Sequence, residues 1–417
     1  MKTNIRDYLY NKSLRDIFHD ITLLLVYGYG IYLFVYYFLF RIIIVYYQIK
    51  TPNLNNFFYS SLKEWFLYIF ILYLFSLNKY FASKYMKTIV VLFLIVYILN
   101  IYYFYQDIEY ITYKVILFQK RILYDSLFTF FIGVMIYRTL NNNLKYLLFT
   151  MWLVLTGIII MHTDFTTLTM NPSKHQLFGD VYVILSILVI FSIFKTIKIR
   201  TIVLFIAFCL LYIISSRASF YSFFLIYLLF LIKEYPFKYI VYLFLSFFIV
   251  LIVLFISNDI NISGRMIGIR PNGNFQDGIY ERIMQFQYGI NSIKENWFFG
   301  DYAGQALVYD TGYRSGHIGA YMHNWLSFWR QYGLVFFTIF TILYAYGLYY
   351  FTIKWKKSKD YIVDIIFYLS IFMLISLLFM RSYNNLFVWL VLGMMYVYIE
   401  INQKNNIEKN GEINGGK

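Results

Sequence analysis

Cysteine occurs once in this 417-residue chain, at Cys209 inside an apolar run, so neither an internal disulfide nor a thiolate metal cluster is possible and redox chemistry is not indicated. Charged residues make up only 14% and histidines number 5. Against 61% hydrophobic and 24% aromatic residues, this scarcity of charge lies far from the usage of a soluble domain, and lipid is the solvent it implies. Acidic residues are dispersed rather than clustered, so nothing calls for a divalent cation, and neither a metal nor a cofactor is expected. The first residues carry Lys2, Arg6, Lys12 and Arg15 without a short apolar core and a small-residue cleavage site. No removable signal peptide is therefore expected, and the first helix serves as its own insertion signal. There is no convincing internal repeat.

What the chain has instead is a series of apolar stretches approaching the roughly 20 residues that a helix needs to cross a bilayer core. The runs are continuous rather than alternating, which selects helices over a closed barrel. Spans are predicted over 21–45, 57–77, 88–105, 122–137, 146–161, 181–194, 201–215, 219–232, 239–256, 333–353, 361–380 and 386–398, with 107–121 readable as an interfacial helix instead. The expected fold class is an all-α polytopic membrane protein with about twelve transmembrane helices and one long outer loop containing short helices.

With the N-terminus inside, the larger share of the 36 Lys and Arg residues falls in the segments that alternate on its side of the membrane, so both termini are expected to be cytoplasmic. The clusters Lys354, Lys356, Lys357, Lys359 and Lys195, Lys198, Arg200 lie in those short inner loops. Topology thus accounts for the net charge of +15, and a nucleic-acid partner is not expected. The expected organisation is helices one to nine over 1–256, an external loop over 257–322, helices ten to twelve over 323–401, and a disordered cytoplasmic tail over 402–417.

The long connection is the one departure from short loops, and loops of that length are usually functional. It holds Arg265, Arg270, Arg282, Lys294 and Arg314 against Asp259, Asp277, Glu281, Glu295, Asp301 and Asp310. Two of the few histidines, His317 and His323, lie at its end, with His323 in Tyr321-Met322-His323-Asn324-Trp325-Leu326 just before the next span. A base there meets a substrate whose lipid lies in the bilayer; the alternative is an interfacial histidine bonded to a backbone carbonyl. Arg217, in Ser215-Ser216-Arg217-Ala218-Ser219, sits in a tight outer hairpin. Its planar donor fork suits phosphate oxygens, and it suits equally well a snorkelling arginine at the membrane border. Glu281 to Ile293 has apolar residues at helical spacing and then meets Asn296-Trp297-Phe298-Phe299-Gly300, which reads as an amphipathic helix at the outer membrane surface with Arg282 in its first turns.

Arg282, Phe286, the pair Ile290 and Ile293, and Gly300 together resemble the signature of the O-antigen ligase and polymerase superfamily, the Wzy and WaaL proteins. A His-Asn pair before the next helix, here His323-Asn324, and a Ser-Arg-Ala element opening an upstream helix, here Ser216-Arg217-Ala218, are similar too. The chain departs from the pattern at Trp297, where a proline is usual, at Glu281, where a glycine is usual, and in the spacing from His323 to Gly333, one residue shorter than in ligases. The resemblance implies a GT-C-like membrane glycosyltransferase at the periplasmic face of a bacterial inner membrane. Arg217 and Arg282 would hold the diphosphate of an undecaprenyl-linked oligosaccharide, and His323 would activate the acceptor hydroxyl. Arg265, Arg314, His317 and Asn324 would be substrate-binding residues, and membrane lipids and a Wzz-like chain-length determinant would be partners. A repeat-unit polymerase for O-antigen or capsule is the first expectation, a ligase acting on lipid A-core the second. A lipid-linked oligosaccharide flippase, from another class, would keep charges in a central cavity rather than in one outer loop.

Overall fold

The computed structural model describes, in whole or in part, residues 88–99, 122–140, 144–164, 169–170, 175–236, 241, 275–301, 324–379 and 385–415. In chain order these form α1 (Leu144–Met161), a two-residue strand pair β1 (Thr163–Asp164) and β2 (Thr169–Met170), α2 (His175–Ile193), α3 (Ile197–Ile214) and α4 (Arg217–Glu234). There follow α5 (Phe275–Glu295), α6 (Leu326–Lys357), α7 (Tyr361–Phe379) and α8 (Phe387–Gly415). Helical backbone also covers much of 88–99 and 132–138. By length and composition α1, α3, α6 and α7 are each able to cross a membrane, and α2 and α8 contain shorter apolar helices over Phe178–Ile193 and Phe387–Gln403. The described chain is thus an all-α membrane protein apart from one antiparallel pairing, Thr163 with Met170 and Asp164 with Thr169. These segments are rich in β-branched and aromatic residues that are mediocre helix formers in water, but in lipid only a helix pairs every backbone N–H within the segment.

Helices α2 and α7 form the centre. From Phe178 onward α2 is buried almost without interruption, and α7 is buried from Ile362 to Leu369. Helix α2 touches α1, α3, α4 and α7. Polar side chains join the helices where lipid offers no competing partner: the Trp152 indole donates to Ser186 Oγ at 2.9 Å, Tyr344 OH to the Ser370 carbonyl at 2.6 Å, and Tyr396 OH to the Leu343 carbonyl at 2.6 Å. Segment 132–138 and α8 approach so closely that a Cβ at Gly133 or Gly393 would strike the facing backbone at Leu390 or Phe130. Small residues at such a contact give backbone packing that larger ones forbid.

Lys233 and Arg200 tie helix ends together at one end of the bundle. Lys233, in the last turn of α4, donates to Asp364 in the first turn of α7 and, at 3.2 Å, to the Ser358 carbonyl that closes α6. Arg200 reaches the last carbonyls of α2, at 2.6 Å to Phe194 and 3.2 Å to Phe191, and so satisfies acceptors that a helix end leaves open. Because α4 finishes at this end, it begins at the opposite one.

Helix α6 is not one straight rod. Gly333, at φ 77° and ψ 177°, breaks it, and the chain reverses. Trp325 donates its indole N–H to Thr341 Oγ1 at 2.8 Å, whereas in an unbroken helix those residues would stand about 24 Å apart. The Phe328 ring lies 4.5 Å from Phe340, Trp329 5.3 Å from Phe337, and Tyr332 4.5 Å from Phe336, a ladder that only an antiparallel helical hairpin produces. Sequence reading expects a span starting at Gly333; the structure adds a short helix before it, folded back along the span. Hydropathy windows also miss the polar first turns of α2, expected from 181 and observed from His175. Helix α8 continues to Gly415, past Asn402 where a disordered tail is expected, because no proline follows the buried part and an existing helix extends at little cost. The predicted spans 21–45 and 57–77, the segment 107–121 and nearly all of 239–256 lie outside the described residues.

Candidate functional site

The end opposite Lys233 and Asp364 holds the beginnings of α2 and α4 and the Gly333 reversal of α6. Helix α4 opens on the Ser216-Arg217-Ala218 element, with Ser216 at the N-cap position in extended geometry. Its hydroxyl does not cap the helix but lies 2.7 Å from Ser219 Oγ, and Ser219 donates to Asp180 Oδ1 of α2 at 2.6 Å. A carboxylate oxygen only accepts, so Ser219 spends its proton on Asp180 and Ser216 donates to Ser219. All three residues are buried, and Gly179 makes room for them: a Cβ there would stand 2.7 Å from both hydroxyl oxygens. Arg217, between the two serines, is exposed. The small residues around it thus have a packing cause, while the arginine itself is left facing outward.

Helix α5 carries Arg282 on its backbone; the arginine's side chain lies outside the described residues. The helix docks through Gly289 and Ile293 and finishes in the turn Asn296 to Gly300, which fastens to the α6 hairpin. Leu334 donates to the Phe298 carbonyl at 3.0 Å, Asp301 to the Arg330 carbonyl at 2.6 Å, and the Trp329 indole to the Trp297 carbonyl at 2.7 Å. Gly300, at φ +83°, meets Gly333 back to back. A side chain on either would combine left-handed backbone strain with a backbone collision. The spacing from Arg282 to Gly300 and the glycine after the His-Asn pair are therefore two halves of one interlock.

Beside that interlock Arg330, 2% exposed, lies 3.7 Å from an Asp301 carboxylate oxygen that also accepts from Ser292 Oγ at 2.8 Å. Neither Arg330 nor Asp180 stands out in the sequence, because each is a single charge next to an apolar run; a lone ionisable residue at such a border was the available signal.

Among the residues expected to form a site, Arg217 begins α4 and Asn324 precedes the α6 hairpin, where its Oδ1 accepts the Leu326 N–H at 3.0 Å as a helix cap. Asn324 adjoins Trp325 and hence the level of Thr341, about 12 Å along the hairpin from its Gly333 turn by helical rise. The reversal at Gly333 thus carries Asn324 alongside the span. Arg265, Arg314, His317 and His323 lie outside the described residues. No family model matches the chain, and no curated protein matches it.

Proposed function

We propose that this chain is a repeat-unit polymerase for an O-antigen or capsular polysaccharide, a GT-C-like enzyme with about twelve spans in the bacterial inner membrane, both termini cytoplasmic. It moves the growing glycan from its undecaprenyl diphosphate onto the hydroxyl of a new lipid-linked repeat unit at the periplasmic face. Arg217 and Arg282 hold the diphosphate and offset the charge that develops as it leaves; His323 accepts the acceptor's proton; Arg265, Arg314, His317 and Asn324 contact the glycan or phosphate. The leaving group is already activated, so orientation, charge stabilisation and one proton transfer are enough.

One observation carries the reading: the arginine helix and the segment after the His-Asn pair, remote in sequence, are clasped by Gly300 and Gly333, at the bundle end where Ser216-Arg217-Ala218 also begins its helix. The Ser-Arg-Ala helix start and the two glycines of the clasp thus share one end of the described fold, which supports the reading. The test is turnover of purified protein with lipid-linked repeat units. Arg217→Lys and Arg282→Lys should lose most activity, since an ammonium does not reproduce the bidentate fork, and His323→Ala should fall by about 10² to 10⁴. Normal polymer from all three variants at equal expression would remove the proposal's support. A deletion strain separates the related activity: single-repeat lipopolysaccharide marks a lost polymerase, accumulated lipid-linked polymer a lost ligase.

A further inference from the structure

The turn after α5 exposes three consecutive aromatic side chains, Trp297 at 53%, Phe298 at 42% and Phe299 at 63%. A soluble surface rarely presents such a run, and these rings do not fold back on the bundle even though their backbone is firmly attached to it. The attachment fixes their level. Phe298 bonds Leu334 and Gly300 faces Gly333, so the aromatic turn stands at the height of the hairpin's reversal.

That height is set by α6 itself. From Gly333 to Lys354, the first lysine of its basic last turn, the helical rise amounts to about 31 Å, and a bilayer's hydrocarbon core is about 30 Å thick. With Lys354, Lys356 and Lys357 at one headgroup layer, Gly333 lies at the other. Between those limits α6 presents Val335, Ile342, Tyr349 and Ile353 outward as an apolar lipid-facing stripe. Trp329, stacked on Phe337 and bonded to the Trp297 carbonyl, lies on the other side of α6 from that stripe and ties the turn to the hairpin. By the level of the Gly333 reversal, the exposed rings sit at the boundary of core and headgroups, where tryptophan is favoured. Along α5, Phe286 is exposed beside the face that Gly289 and Ile293 bury, Ile283, Gln287, Asn291 and Lys294 share the adjoining exposed arc, and Glu295 lies opposite Phe286.

We infer that Trp297, Phe298 and Phe299 form an interfacial anchor, inserted among the lipids of the leaflet opposite the Lys354 end, and that the Gly300–Gly333 clasp transmits this fixed depth to the α6 hairpin. The partner is the phospholipid bilayer, and the inference does not depend on glycosyl transfer. Spin labels test it in proteoliposomes of phosphatidylethanolamine and phosphatidylglycerol, in a Cys209→Ser background. Nitroxides at Phe299→Cys and Phe286→Cys should be relaxed by oxygen far more than by a water-soluble nickel chelate, and the reverse is expected at Glu295→Cys. If the nickel chelate relaxes the label at 299 as strongly as that at 295, the turn faces water and the anchor is refuted. If neither reagent reaches 299, protein covers it, which also overturns the inference. Should the cysteine variants fail to fold, intrinsic fluorescence keeps the question open to decision. The Trp297→Phe difference signal should be quenched by lipids brominated in the acyl chain; quenching by aqueous iodide alone would refute the anchor.

Discussion

Replacing Gly333 by alanine should open the clasp between α5 and the α6 hairpin without unfolding the bundle. The new Cβ would stand 2.6 Å from the Phe299 carbonyl carbon and 2.8 Å from its oxygen, and would collide with the Phe298 carbonyl oxygen, all of them backbone atoms that cannot swing aside. The conformation, φ 77° with ψ 177°, belongs to a region that only glycine occupies readily, and holding another residue there costs about 1–3 kcal/mol. Forcing a methyl group into a filled contact costs about 1–3 kcal/mol more. Against that combined strain stand the three hydrogen bonds that dock the turn, from Leu334, Asp301 and the Trp329 indole, each contributing about 1 kcal/mol. Strain of about 2–6 kcal/mol brackets a docking energy of about 3 kcal/mol and exceeds it over most of that range, while a whole domain is stable by about 5–15 kcal/mol. Undocking is therefore the cheaper response. Hydrogen exchange in detergent micelles reads it directly: amides of Gly300, Asp301 and Leu334 should exchange faster in Gly333→Ala, with α2 and α7 as protected as in the parent. Gly157→Ala is the control, since a Cβ there meets nothing within 4 Å and alanine favours the helix. Unchanged exchange at the clasp in Gly333→Ala would show that the interlock carries no strain on substitution, and the reasoning would fail.

Two further predictions concern buried polar groups. Lys233→Met should lower thermal stability in detergent by about 3–5 kcal/mol, because Asp364 is left as an uncompensated buried charge, whereas Lys233→Met combined with Asp364→Leu should recover most of the loss. A double variant no better than the single one would mean that the pair acts through something other than charge compensation. At the opposite end, Asp180→Asn keeps an oxygen acceptor for Ser219 and should melt with the parent, while Asp180→Leu orphans a buried hydroxyl at a cost of about 1–3 kcal/mol. Equal melting of the leucine and asparagine variants would contradict the hydrogen-bond direction assigned to Ser216, Ser219 and Asp180.

Composition and run length alone determine that this chain is helical and belongs in lipid, because a continuous apolar stretch has no other way to pair its backbone there. The helices at 146–161, 201–215, 219–232 and 361–380 are legible for that reason, with ends displaced by a few residues wherever a helix carries its polar first turn out of the apolar window, as at Arg217 and His175. Arg217 and the His323-Asn324 pair draw notice because each sits in a short motif, whereas Arg330 and Asp180, each a single charge beside an apolar run, do not.

Only the tertiary structure decided how those residues are arranged. The reversal at Gly333 is invisible to hydropathy because Leu326 to Tyr332, with Ser327, Arg330 and Gln331 among its aromatic residues, reads only as a polar border to the span; what makes it a separate, folded-back helix is one positive φ angle that no periodicity records. The partnership of Gly300 with Gly333 is likewise hidden, because either glycine alone reads as a helix stop and its real cause is the other's backbone, thirty-three positions away in the chain. Asp180 and Ser219 show the same limit: one helix writes the carboxylate and another the hydroxyl, and only packing of α2 against α4 turns two isolated polar residues into a bonded pair.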